Sequence, residues 1–171
     1  MLRGHGILPD MNLAAELPGH RALRRGRFSQ EGGVYLITTV TDQRVPWFQV
    51  FSFAQLICRH IDHGVCLKDA CNLCWVVMPD HIHWMLQLLP GHELSKVVAS
   101  VKGRASSRIN RLNRTRGRFW QPNFYDHAVR REEDLENLAH YLIMNPVRAG
   151  LVDQAERYRY WWSAWHPRDR A

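Results

Sequence analysis

Two histidines one residue apart, His81 and His83, lie in VVMPDHIHWMLQL, Val76 to Leu88, an apolar run with strand character. Side chains alternate faces along a strand, so both imidazoles point one way while Ile82, Trp84, Leu86 and Leu88 point the other. Two residues of rise put the histidine Cα atoms roughly 7 Å apart, close enough for both rings to lean onto one ion. Further along, Tyr141 and Asn145 are four residues apart and share one helical face, beside a stripe of Leu135, Leu138 and Leu142. If that helix lies across the mouth of the histidine hairpin, Asn145 offers an amide oxygen as a third ligand and Tyr141 sets its hydroxyl beside the ion. Two nitrogens and one neutral oxygen leave coordination positions open, as a catalytic metal site requires.

The chemistry that suits such a group is phosphoryl transfer. A cation polarises a non-bridging phosphodiester oxygen while the phenol attacks phosphorus. A phenol with a pKa of about 10 is a far better leaving group than a sugar alkoxide, so a phosphotyrosine stays reactive. A DNA 3′-hydroxyl can then reverse the step, which gives strand breakage and rejoining without ATP.

The elements that must position these residues follow from periodicity. Gly32-Gly33 opens a β-branched strand from Val34 to Thr41, and a helix follows Pro46 through Trp47, Val50, Phe51, Ala54, Ile57, Cys58 and Ile61. Leu73 to Met78 and His81 to Leu89 form a hairpin around Pro79-Asp80, with the histidines at its mouth. Leu94 to Leu112 reads as a long helix, and Phe119–Gln121 and Phe124–Val129 as short strands. Glu132, Glu133 and Asp134 open the tyrosine helix, where acids suit the dipole, and Pro146 ends it. The tail from Val147 to Trp165 turns at Gly150 and ends in an aromatic run.

A chain of 171 residues supports one domain with a sizeable core. The expected division is a basic N-terminal arm over 1–31, the domain over 32–165 and a short tail over 166–171. A formal net charge of +7 attracts polyanions, which points to nucleic acid before acidic metabolites or membranes. The basic residues concentrate in Lys102, Arg104, Arg108, Arg111, Arg114, Arg116 and Arg118, a run without an acid. With Arg24 and Arg25 of the arm they form a candidate phosphate track, although a solvated face is the plainer reading of any such run. No apolar segment is long enough to span a membrane and no secretory signal opens the chain, so a cytoplasmic, nucleoid-associated location is expected.

Plainer readings also stand beside the other candidates. His81 and His83 could be polar residues on the wet side of a strand, and Tyr141 a packing residue, with Tyr35, Tyr125, Tyr158 and Tyr160 as rivals. Asp80 suits either an imidazole-orienting hydrogen bond or a turn. Asp126 and His127 could stand near the site or belong to a sheet edge. Cys71 and Cys74 make a C-x2-C without a second pair, and Cys74 lies in a core strand; reduced thiols are the default. Trp161, Trp162 and Trp165 read as a packed cap before a base-stacking shelf.

Several stretches in order carry a family likeness: YLITTVT with PWF, WVVMPDHIHWMLQL, LSKVVASVKGR, FWQPNFYDHAVR, and EDLENLAHYLIMNPVRAGLV. The chain resembles the His-hydrophobic-His single-tyrosine transposases, insertion-sequence-200-like, and among them the REP-associated tyrosine transposases, over roughly Gly33 to Trp165. The resemblance implies an α+β fold, a ferredoxin-like antiparallel sheet with helices packed on one face. It also implies Mg2+ or Mn2+ held by His81 and His83, with Tyr141 as nucleophile through a 5′-phosphotyrosine. The family's third ligand, often Gln, falls here on the shorter Asn145. The implied substrate is single-stranded DNA at hairpins, the repetitive extragenic palindromes, cut by a monomer or a homodimer. A hairpin-binding protein with reduced or lost cleavage is the alternative; a hydrolase of small phosphoesters fits the histidines but leaves the basic surface without use.

Overall fold

The computed structural model describes residues 30–63, 66–130 and 133–166. Arg24, Arg25 and nearly all of the expected arm, with Glu132 and the last five residues, lie outside them. The elements run β1 (Val34–Val40), α1 (Phe51–His63), α2 (Cys66–Asp69), β2 (Ala70–Val77), β3 (His81–Leu88), α3 (Leu94–Leu112), β4 (Tyr125–Ala128), α4 (Leu135–Ile143), α5 (Asn145–Arg148) and β5 (Trp161–Ser163). The strands form one sheet in the order β4-β1-β3-β2-β5, and every pairing is antiparallel.

The central strand is the histidine strand, and its alternation sorts the core into two. Ile82, Trp84, Leu86 and Leu88 join Ile37 and Val77 against α1 and α3, whose buried stripes include Ala54, Ile57, Val98 and Ile109. On the other face Met85, Leu36, Val76 and Cys74 pack beneath Leu138, Ala139 and Leu142 of α4. Two long helices thus share one face, and the tyrosine helix covers the other, a placement the expectation of one helical face did not include. The reason lies in β3: Met85 is apolar on the histidine side and needs a cover of its own.

The β2–β3 turn that delivers His81 is held from β1. Thr41, fully buried, donates its N–H and its hydroxyl to the Asp80 carbonyl at 2.8 and 2.9 Å, and the Phe48 N–H binds the Pro79 carbonyl at 2.9 Å. Asp134 caps α4, its carboxylate accepting from the Glu136 and Asn137 N–H groups at 2.9 and 3.2 Å. Such a cap stabilises a helix by about 1 kcal/mol.

Four local readings change. The helix after Pro46 starts at Phe51, behind a 3-10 turn over Trp47–Gln49. Around Phe119–Gln121 only an isolated bridge from Trp120 to Thr41 forms. Pro146 does not end the helical path: it sits in the first turn of α5, where its missing N–H costs nothing. The aromatic tail contributes a strand, β5, which pairs Trp161 with Val76 and Trp162 with Trp75.

Candidate active site

His81 and His83 share the α4 face of β3, their ring centroids 4.8 Å apart and their planes at 84°. Each ring is fixed through Nδ1. His81 Nδ1 lies 2.5 Å from Asp80 Oδ1, and His83 Nδ1 lies 2.9 Å from Thr38 Oγ1 on β1, its register partner. With Nδ1 so engaged, the Nε2 lone pair is the one each imidazole can offer an ion, the usual arrangement around a bound metal. Burial first, then the charges of His81 and Arg148, push the His83 pKa from 6.5 down to about 3, so that ring is neutral and fit to ligate at neutral pH. Asp80 itself is held below the usual carboxylate range, chiefly by its hydrogen bond with His81 and then by Arg44, whose Nη1 lies 2.9 Å from Oδ2.

Tyr141 packs at the margin of the α4 core, on the same side of the sheet as the histidines and within the same chain. Asn145 lies on α5, its Nδ2 donating to the Leu142 carbonyl at 2.9 Å and its Oδ1 accepting from Arg148 Nη2 at 2.8 Å. The amide oxygen expected as a metal ligand is therefore engaged by a guanidinium. Among the described residues no group of three His, Cys, Asp or Glu gathers as a ready metal cluster. Two imidazole nitrogens fit a divalent cation, and Oδ1 of Asn145, the third candidate, carries a hydrogen bond from Arg148.

The other candidates divide. Register puts Asp126 beside Ile37, on the α1/α3 face, away from the imidazoles. His127 falls beside Leu36 on the histidine face, but its Nε2 is bound to the Glu133 carboxylate at 3.1 and 3.2 Å. Tyr125, the rival phenol, pairs with Thr38 and so shares the face of His83. Cys74 is buried, its thiol pushed up to about 12 by burial, whereas Cys71 is exposed and not in the core where reduced thiols were expected.

Residues 30–145 match the family described as "Transposase IS200 like". The chain belongs to that family. It is 25% identical over 146 residues to a Haemophilus influenzae protein that carries the name of a REP-associated tyrosine transposase, covering 76% of this chain and 79% of that one. It is 30% identical over 87 residues to the Escherichia coli REP-associated tyrosine transposase, half of each chain. Its fold matches the solved structure of a REP-associated tyrosine transposase bound to a REP hairpin, with a TM-score of 0.64 at 22% identity over 80% of this chain and 79% of that one. No described helix of this IS200-like transposase is long and apolar enough to cross a membrane.

The basic run splits in this transposase. Lys102 is drawn inward: its Nζ donates to the Gln121 and Asn123 carbonyls at 2.8 and 3.0 Å and lies 5.9 Å from the Trp120 ring, tying that loop to α3. It acts as a strap within the domain. Arg104, Arg108, Arg111, Arg114, Arg116 and Arg118 stay exposed. Burial, then the charges of Arg108 and Arg104, lower the pKa of His60 on α1, which marks a positive field shared by α1 and α3. The run then returns to the sheet at Phe119, whose carbonyl accepts from Asp42 N–H at 2.9 Å, at the end of β1 that also holds Asp80.

Three residues of the site escape the sequence reading. Thr38 carries no local signal, since only register puts it on His83. Arg44 reaches Asp80 from a loop whose Gln43 and Arg44 both take positive φ, 53° and 55°, an uncommon backbone that no motif announces. Arg148 does have a signal: positions 141, 145 and 148 follow the i, i+4, i+7 spacing of one helical stripe.

Proposed function

We propose that this transposase cuts and rejoins single-stranded DNA beside a hairpin of the repetitive-palindrome type, with Tyr141 as nucleophile and His81 and His83 as ligands to Mg2+ or Mn2+. The observation that carries this reading is the orientation of both imidazoles through Nδ1, on the sheet face that the tyrosine helix covers. A bound divalent cation would supply polarisation of a non-bridging phosphate oxygen. The chain's own part is to aim and to hold. Asp80, locked by Arg44 and by Thr41, fixes His81, and Thr38 fixes His83.

In the reaction the Tyr141 oxygen bonds to phosphorus as the bond to the 3′ oxygen breaks. The phenolic proton passes to a base in solvent, and the 3′ oxygen takes a proton from solvent and leaves as a hydroxyl, with the 5′ phosphate left on the tyrosine. Reversal by a 3′-hydroxyl rejoins the strand. The exposed arginines of α3 and of the following loop suit a phosphodiester path towards the Asp80 end of the sheet. The family name and the hairpin-bound neighbour agree with such a substrate.

The test is incubation of the full chain with a hairpin oligonucleotide carrying single-stranded flanks, with Mn2+ or with EDTA, read on a denaturing gel. A shifted protein–DNA band that needs Mn2+, and persists in Tyr125→Phe, is the expected result. An adduct lost in Tyr125→Phe but kept in Tyr141→Phe would transfer the role to the other phenol. A second reading, hairpin binding without cleavage, draws on the Arg148–Asn145 hydrogen bond that occupies the third ligand. Tight binding with no adduct across several metals and sequences would favour it.

A further inference from the structure

Arg148 gathers the chemistry of the site around one cation. Its guanidinium carbon lies 3.8 Å from the centroid of the Tyr141 ring. Its Nη2 donates to the Tyr141 carbonyl at 2.9 Å and to Asn145 Oδ1 at 2.8 Å. The amide is oriented from its other end, where Nδ2 donates to the Leu142 carbonyl, so Oδ1 faces the arginine. The residue is exposed on a four-residue helix, and its positive charge also reaches His83.

These contacts set up a competition. An amide oxygen has two lone pairs, but a guanidinium and a divalent cation on the same atom would bring like charges together in a partly buried site. Only one of the two cations can hold Asn145 Oδ1 comfortably. Arg148 is long, exposed and held by one neutral acceptor, one carbonyl and a ring face, all of which it can leave. A guanidinium released beside a phenol has the planar fork that pairs with phosphate oxygens.

We propose that Arg148 is an exchange latch: its hydrogen bond to Asn145 Oδ1 is given up when a divalent cation takes that oxygen, and the guanidinium then turns to the DNA phosphate next to Tyr141. This rests on the metal and tyrosine reading given above. Arg148 is thus a positioning residue for Tyr141 and Asn145, and a phosphate contact once it leaves the amide. The step involves no covalent change; one hydrogen bond is exchanged for a metal–oxygen contact.

The latch makes two readouts move in opposite directions. Metal-stripped full chain is titrated with Mn2+ by electron paramagnetic resonance for wild type, Arg148→Met, Asn145→Ala and the double variant. Arg148→Met should bind Mn2+ about tenfold more tightly, the scale on which outer partners tune metal sites. That gain should vanish in the Asn145→Ala background. At saturating Mn2+, Arg148→Met should form the DNA adduct ~100-fold more slowly, as expected for loss of one donor to the reacting phosphate. A residue with a merely structural role would weaken both.

Unchanged or weaker Mn2+ binding in Arg148→Met, or a gain that survives without Asn145, overturns the latch. If Arg148→Met does not fold, wild-type protein titrated with Mg2+ gives the same test by nuclear magnetic resonance. The Arg148 side-chain Nε and the Asn145 side-chain amide should shift together and saturate together; an unmoved Arg148 resonance overturns the proposal. Wild-type protein that neither binds Mn2+ nor forms an adduct removes the metal and tyrosine reading itself, a result distinct from failure of the latch alone.

Discussion

On one face of the sheet, Ile37, Val77, Ile82, Trp84, Leu86 and Leu88 meet the two long helices α1 and α3; on the other, Leu36, Val76 and Met85 share their surface with His81, His83 and Thr38 beneath a single nine-residue helix. The first face is built for burial and carries its charge outside, on arginines that point away from the sheet. The second face gives up part of its core to imidazoles and covers the remainder with the helix that bears Tyr141. The larger core and the candidate site thus lie on opposite sides of one sheet, and β3, which lies at its centre, contributes alternate residues to both.

The sharpest way to break this comparison is chemical. Tyr141→Phe should abolish the covalent DNA adduct while hairpin affinity, measured by fluorescence anisotropy, stays within about twofold, since one hydroxyl is removed and the exposed arginines are untouched. An adduct that persists would mean the α4 face does not carry the nucleophile.

Packing comes next. Ile57→Ala and Leu142→Ala each remove a buried aliphatic side chain, one under α1 and one under α4. Each should cost roughly 2–5 kcal/mol in urea unfolding. Only Leu142→Ala should also slow adduct formation at a temperature where both variants remain folded, because only α4 sets the phenol. Equal effects on the rate would blur the division between the faces.

A smaller effect separates the faces by pH. The unfolded chain protonates His83 near 6.5, whereas the folded chain resists until about 3. Between those values the unfolded state binds more protons, so stability rises with pH across that window and is lost as pH falls. Going from pH 6.5 to 5 should cost metal-free protein roughly 1–2 kcal/mol. Urea melts at the two pH values should show this loss shrinking in His83→Gln. It should change less in His60→Gln, on the more open α1/α3 side.

The gentlest test concerns the outer arginines. Arg108→Ala combined with Arg111→Ala should shallow the salt dependence of hairpin binding by about 1.8, or 0.9 per lost phosphate contact. The adduct rate at saturating DNA should not change. An unaltered salt slope would take these two arginines out of the phosphate path.

Much of this molecule was legible before any tertiary structure. Periodicity placed α3 from Leu94 to Leu112 without error, because nineteen residues carry several turns of apolar repeat. It also found the β2–β3 hairpin and the strand that bears both histidines. Short elements were less visible. Three residues, Trp161 to Ser163, make too brief an alternation to declare β5, and its pairing depends on the edge that β2 leaves open. The expectation of helices on one face came with the family likeness; hydrophobic spacing tells how a helix is amphipathic and not which side of a sheet it will cover.

The sequence by itself determined the identities and the local phases: two imidazoles on one side of a strand, a phenol and an amide four residues apart along one helical path, and a run of arginines with no balancing acid. Those follow from backbone periods of two and 3.6 residues, which are properties of neighbouring positions. Tertiary structure alone decided that Thr38 meets His83, that Arg44 grips Asp80, that Lys102 turns inward, and that Arg148 sits between Tyr141 and Asn145. Each of these but the last joins residues far apart in the chain, brought together by strand register or loop closure. The last depends on a rotamer that only the shape of the site can choose.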